Sequence, residues 1–167
     1  MKIGIMGGTF DPIHNGHLML GQAAYEAFSL DEVWFLPNGN PPHKESSRIE
    51  ASAKERVEMT RLAVSGIPYF RVEPYEAERD EVSCTWQTLE YFRGKYPDDQ
   101  MFFIIGADSL FTIERWIHPE RIFPLCTILA AYRDEVNSRE LMEEQIHRLK
   151  DKYHADVRLL ITPLLHV

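Results

Sequence analysis

Short, nearly unbroken apolar runs alternate along this chain with longer stretches in which apolar residues return every three or four positions. The runs are Lys2 to Met6, Glu32 to Pro37, Phe70 to Val72, Gln100 to Ile105, Thr127 to Tyr132 and Val157 to Thr162. Such runs mark strands buried on both faces. Between them, Leu18 to Phe28 places Leu20, Ala23, Ala24, Ala27 and Phe28 on one helix face. Ser52 with Glu55 is a capping-box signal that opens a helix to about Val64. Thr85 to Tyr96 reads as a helix with Leu89 and Phe92 inward, ended by Gly94 and Pro97. Asn137 with Glu140 opens a last helix to about Tyr153, with Met142, Ile146, Leu149 and Tyr153 on one face. Short helices are expected around Ser109 to Trp116 and Pro119 to Leu125, and loops over Asn38 to Ser47 and Glu76 to Glu81. Strands alternating with helices imply right-handed βαβ units, and so an α/β fold with a doubly wound parallel sheet. Ligands in such sheets bind beyond the carboxyl ends of the strands, where the strand order reverses. The turns from Gly7 and from Gly106 are expected to open there.

Composition narrows the possibilities. The 167 residues fit one domain, expected over 1–167. A formal charge of −8 argues against a nucleic-acid surface, which needs a basic stripe. It does not oppose a small anionic substrate, because local dipoles and a few cations decide that. No run approaches the roughly 18 apolar residues of a membrane span, and the N-terminus carries no signal-peptide pattern. Cys84 and Cys126 make neither a disulfide framework nor a zinc set, and a reducing cytoplasm is the expected setting.

The chemistry concentrates in Met6 to His17, Met-Gly-Gly-Thr-Phe-Asp-Pro-Ile-His-Asn-Gly-His. A strand precedes it and a helix follows. Gly7 and Gly8 let the backbone take positive φ and let a ligand approach the main chain. The helix N-terminus adds N–H groups and a partial positive charge, which together attract phosphate. His14 and His17 lie three residues apart at that end; if both are helical, they share a face and can point at one anion. A glycine pair alone is ordinary turn chemistry, and a lone histidine is an ordinary surface residue. Their convergence with Pro12 and Gly16 in one strand–helix junction points to a phosphate site. The glycines at Gly4, Gly7 and Gly8 do not form the dinucleotide fingerprint, so Asp31 and Glu32 carry little weight as ribose ligands.

His14-Asn15-Gly16-His17 resembles the His-x-Gly-His motif of the nucleotidylyltransferase superfamily, as does the preceding Gly-Gly-Thr-Phe-Asp-Pro from Gly7 to Pro12. The resemblance implies a Rossmann-like nucleotidylyltransferase fold. Pro41-Pro42-His43-Lys44 stiffens and extends the loop after the second strand; alone, Lys44 reads more readily as a solvated lysine than as a phosphate ligand. This loop is similar to that of bacterial nicotinate-mononucleotide adenylyltransferases, which implies that Lys44 reaches the ATP phosphates. Ser83-Cys84-Thr85-Trp86-Gln87-Thr88-Leu89 is similar to the family's Ser-Tyr-Thr-x-x-Thr-Leu segment. By that likeness Thr85 contacts the nicotinate, although a helix cap would equally explain its hydroxyl. Cys84 and Trp86 depart from the family residues. Gly106 and Asp108 resemble the turn at the dinucleotide, and Trp116 the tryptophan that stacks on the pyridine ring. Arg133 resembles the arginine near the adenine. Taken alone, Asp108 also fits a helix cap, Trp116 core packing and Arg133 a surface residue. The family continues past its final strand into a Ser-Ser/Thr-x-x-Ile-Arg helix start, a second phosphate grip. The sequence here reads to Val167, so the resemblance implies a C-terminally truncated chain.

The implied reaction is adenylyl transfer from ATP to nicotinate mononucleotide, giving deamido-NAD and pyrophosphate, with Mg²⁺ accompanying ATP and no protein metal set. His14, His17 and Lys44 would be its catalytic residues. The main chain at Gly7, Gly8, Thr9, Phe10 and Gly16 would meet the reacting phosphates, and Asp11 and Asp108 would be indirect partners only. Two alternatives are a phosphopantetheine adenylyltransferase, whose family has threonine at the place of His14 and lacks the Pro-Pro-His-Lys loop, and a nucleotide-binding sensor without turnover.

Overall fold

The computed structural model describes residues 1–39, 51–79, 81–133 and 138–162. Six strands form one all-parallel sheet: β1 (Lys2–Gly8), β2 (Glu32–Pro37), β3 (Phe70–Val72), β4 (Gln100–Ile105), β5 (Thr127–Arg133) and β6 (Val157–Thr162). Their spatial order is β3-β2-β1-β4-β5-β6. The chain winds one way from β1 through β2 to β3, then crosses back to β4 on the other side of β1. That is the reversal expected of a doubly wound sheet. The helices are α1 (Asn15–Ala27), α2 (Ala53–Val64), α3 (Thr85–Lys95), α4 (Ala107–Thr112), α5 (Pro119–Ile122) and α6 (Ser138–Tyr153).

Both faces of the sheet are covered, which is why its strands read as continuous apolar runs. Ile3, Ile5, Trp34, Leu36, Met101 and Phe103 pack on one face with Leu89 and Phe92 of α3, Leu110 of α4 and Met142 and Leu149 of α6. Met6, Val33, Phe35, Phe102 and Ile104 pack on the other with Ala24 of α1 and Val57 and Val64 of α2. None of the helices among the described residues is long and apolar enough to cross a membrane.

Three boundaries differ from the sequence expectation, each for a local reason. β1 runs through Gly7 and Gly8, because these pair with Leu36 and Pro37 of β2. The glycines are therefore strand residues, and the turn is Thr9 to His14. α1 begins at Asn15 rather than Leu18, because His14 caps it. α3 ends at Lys95, one residue before the expected Tyr96, because Tyr96 is its C-cap. Ser52 and Glu55 form the expected capping box on α2, each side chain bonding the other's main-chain N–H at 3.1 and 3.2 Å. Asn137, expected to open α6, lies outside the described residues.

Gly21 of α1 lies where the helix meets the sheet. A Cβ there would stand 2.9 Å from Cζ of Phe35 and 3.3 Å from Cζ of Phe70, both core rings. Ala normally gains about 1 kcal/mol over Gly inside a helix, but overpacking a core costs about 1–3 kcal/mol. Gly21→Ala is therefore expected to lower stability in urea unfolding, against the helix-propensity trend.

Candidate active site

At the carboxyl ends of β1 and β4, where the winding reverses, the sheet opens into a cleft of about 540 Å³. Its walls come from the end of β1 and Thr9, from His17 and Leu20 of α1, from Asn38 after β2 and Glu76 after β3, and from the start of α3. The end of β4 with Gly106, Ser109, Trp116 and Ile117 completes it. Asp31 and Glu32 lie at the opposite ends of the strands. There Asp31 accepts from the Lys2 N–H at 2.7 Å and Glu32 from the Trp34 indole at 3.0 Å, so neither is a ribose ligand in this cleft.

The structure brings His14 and His17 together, but not as two helical residues. His14 is the N-cap of α1 with extended backbone, φ −133° and ψ 174°. The Gly16 N–H donates to Nδ1 of His14 at 3.1 Å, and the His14 N–H donates to Nδ1 of His17 at 3.2 Å. This is a capping box made of two imidazoles, and the rings stack with centroids 3.8 Å apart. The N–H groups of His17 and Leu18 turn to the His14 carbonyl at 3.0 and 3.4 Å. The first turn of α1 is thus largely satisfied internally, a correction to the expectation that its main-chain N–H groups are the phosphate donors. A ring nitrogen that accepts carries no proton, so each neutral imidazole carries its proton at Nε2. What this turn offers an anion is imidazole N–H.

His17 is held edge-on against the buried Phe10 ring, centroids 5.0 Å apart. Burial, with the neighbouring His14 second, lowers its pKa from 6.5 to about 4. It is accordingly a neutral donor at neutral pH. The positive φ expected of a glycine belongs instead to Phe10, at 50°, and no described glycine has one. Gly8 is needed for another reason: a Cβ there would stand 2.9 Å from the Phe10 ring.

At the other end of the cleft, Thr85 is the first residue of α3 and lines the cavity; the cap is Cys84, which also lines it. Trp86 turns away and lies under the Arg121 guanidinium, 4.0 Å from its centroid. Trp116 is half-buried, edge-on to Phe103 with centroids 6.1 Å apart, and its remaining surface faces the cleft. Gly106 caps α4 and lines the cavity. Asp108 is exposed in the first turn of α4, so it is neither the cap nor part of the cleft wall. Lys44 and its Pro-Pro-His-Lys loop lie outside the described residues, as does the side chain of Arg133, whose main chain ends β5.

Several residues that sequence reasoning passed over also belong here. Asn38 lines the cleft and donates to Oγ1 of Thr9 at 3.3 Å. Ser83 is buried in the cleft wall, and its Oγ has no hydrogen-bond partner among the described residues. Glu76 is half-buried as a residue, but its carboxyl end is packed inward and accepts from Oγ1 of Thr88 at 2.6 Å. Desolvation raises its pKa from 4.5 to about 7, against the opposing pull of the Thr88 hydrogen bond and Arg79. No sequence signal separates Glu76 from Glu78 or Glu81 in the same charged loop.

The profile of the cytidylyltransferase-like family matches residues 5–160. A protein of Lachnoclostridium phytofermentans named "Probable nicotinate-nucleotide adenylyltransferase" is 41% identical over 166 residues, spanning 99% of this chain and 82% of that protein. The nicotinate-nucleotide adenylyltransferase of Bacillus subtilis is 42% identical over 132 residues, 79% of this chain and 69% of its own length. Among solved structures, the nicotinic acid mononucleotide adenylyltransferase of Plasmodium falciparum complexed with NaAD aligns with a TM-score of 0.76 at 18% identity. That alignment covers 99% of this chain and 77% of the other, a likeness of fold.

Glu76 gives a pH prediction. With its pKa raised in the folded state, its contribution to stability is fully present below about pH 4.5 and is lost as pH rises through about 7. Glu76→Gln is expected to remove that loss. Its stability relative to the parent should grow between those values and level off above them, by about 3 kcal/mol at most. Urea unfolding of both proteins at pH 5 and pH 8.5 checks this; a difference independent of pH would show that the carboxyl titrates normally.

Proposed function

This chain belongs to the cytidylyltransferase-like family and, within it, to the nicotinate-nucleotide adenylyltransferases, and we propose that its cleft works by alignment and electrostatic stabilisation alone. The reaction transfers the adenylyl group of ATP to nicotinate mononucleotide, giving deamido-NAD and pyrophosphate. An oxygen of the mononucleotide phosphate bonds to the α-phosphorus while the bond to the β-phosphate's bridging oxygen breaks. The electron pair leaves with pyrophosphate. The second pKa of a phosphate monoester is about 6, so the attacking oxygen is already anionic near neutral pH and no general base is required. The protein has to bring two anions into line and spread the charge that builds on the leaving group.

The stacked imidazoles at the reversal point carry this reading: two hydrogen-bond donors set side by side where both phosphate groups must meet. His17, lining the cleft, donates from Nε2 to the α-phosphate, and His14 supports a neighbouring oxygen. The main chain from Gly7 to Phe10 receives the reacting phosphates. Lys44 steadies the triphosphate, Gly106 and Arg133 meet the adenosine part, and Thr85 and Trp116 receive the pyridine ring. Among the described residues no three His, Cys, Asp or Glu side chains come together as a metal set. Magnesium carried on the ATP oxygens with its own waters needs no such set; arriving with ATP, it would supply charge compensation for the leaving pyrophosphate. The free thiols of Cys84 and Cys126 accord with a cytoplasmic setting.

Pyrophosphate release with ATP and Mg²⁺ tests the assignment. It is expected with nicotinate mononucleotide, not with phosphopantetheine, and is expected to stop on chelation. Release driven by phosphopantetheine, or ATP binding without release from any acceptor, would overturn it. His17→Ala should lower kcat about 10²-fold or more, the scale of one lost transition-state donor. A near-normal kcat would remove His17 from its role.

A further inference from the structure

One buried cation has no place in the scheme above. Arg56, in the second turn of α2, is 1% exposed, and its guanidinium spreads over three separate stretches of chain. Nη1 donates to the Thr9 carbonyl at 2.8 Å and to Oδ1 of Asn38 at 3.1 Å. Nη2 donates to the Gly39 carbonyl at 3.2 Å, and Nε to the Ala51 carbonyl at 3.3 Å. The Asn38 amide completes the lattice, donating from Nδ2 to Oγ1 of Thr9, while its main-chain N–H donates to the Gly8 carbonyl at 2.9 Å. The turn after β1 and the start of the loop after β2 are therefore fastened to one planar fork. Burying a guanidinium is expensive, and here it is offset by these hydrogen bonds and by the charge of Asp11.

The geometry has a consequence for the turn. The Thr9–Phe10 peptide is trans, so its carbonyl and its N–H point in opposite directions. With the Thr9 carbonyl drawn inward to Arg56, the Phe10 N–H is turned away from α2. A charged donor on the carbonyl also polarises the peptide and strengthens that N–H as a donor. Phe10 holds φ at 50°, a conformation unusual for a bulky residue and one that its surroundings must enforce. Arg56 supplies the inward pull on one side, and the packing of the Phe10 ring against Phe35 and His17 holds the other.

We propose that Arg56 is a positioning residue for adenylyl transfer, acting through the Thr9 carbonyl and the Asn38 amide to aim the Phe10 N–H at the reacting phosphates. The proposal rests on the reading that the Gly7–Phe10 main chain receives those phosphates. The planar fork is what matters, so an ammonium cannot replace it.

Arg56→Lys in the full chain keeps the charge and loses the fork. Its kcat is expected to fall about 10-fold or more, while KM for nicotinate mononucleotide stays within about 3-fold. Both are measured at a temperature where circular dichroism shows the variant folded. Asn38→Ala, which removes one acceptor of the fork and leaves Arg56 buried, should lower kcat in the same sense by a smaller factor and serves if Arg56→Lys fails to fold. A second readout needs no turnover: inorganic pyrophosphate should shift the Phe10 amide proton resonance of the parent protein downfield, and that shift should shrink in both variants. A parent protein without turnover but with the Phe10 shift would count against the assigned reaction alone. Variants that keep the parental kcat and the parental Phe10 shift would overturn the role of Arg56. So would a loss of activity that only follows the unfolded fraction.

Discussion

A strand paired on both edges and covered on both faces can meet ligand only at its ends, and β1 is such a strand. β2 and β4 hold its edges, and Ile3, Ile5 and Met6 are buried among side chains above and below. Because all six strands are parallel, the carboxyl end of β1 opens beside those of β2 and β4. The chain leaves β1 toward one edge of the sheet and returns at β4 to build the other. The helices α1 and α4 start from this gap and diverge from it. His17, Thr85, Gly106 and Trp116 line the cleft that opens there.

The turn after β1 uses the same groups for folding and for function. The imidazoles of His14 and His17 close the N-terminus of α1, and the Phe10 ring packed against His17 is itself part of the core. Polar groups around the cleft then divide into two kinds. Arg56 and Asn38 have their hydrogen bonds made within the fold, which rigidifies the wall. Ser83 is buried without a partner among the described residues. An unmet hydroxyl in a cleft wall is costly until something binds, and a bound ligand is one means of meeting it.

The strands and most helices were legible because burial on two faces writes itself as apolar runs, and Ser52 with Glu55 is a cap of the commonest type. The start of α1 was less legible because its cap is an imidazole rather than a hydroxyl or carboxylate. The strand-to-helix turn between Gly7 and His17 was legible, yet its conformation was not: positive φ sits on Phe10, while Gly8 is glycine to admit that ring. No local pattern shows that an arginine far along the chain, Arg56, fastens Thr9. Glu76 was hidden for a similar reason, since only the packed fold separates it from the solvated acids beside it. Thr85 and Trp116 line the cleft, whereas Asp108 is exposed outside its wall.

The neutrality of His17 bears on how the cycle ends. Pyrophosphate leaves the reaction carrying more negative charge than the phosphate that attacked. A cationic donor adds a Coulomb attraction to an anion that a neutral donor lacks, so an imidazolium would hold the anionic product more tightly. With its pKa near 4, His17 offers direction without full charge. In the proposed role on the α-phosphate, it would stabilise a geometry that exists for an instant and hold the adenylylated product only weakly. Where escape of product limits turnover, as it does in many enzymes, a buried, uncharged imidazole shortens the wait.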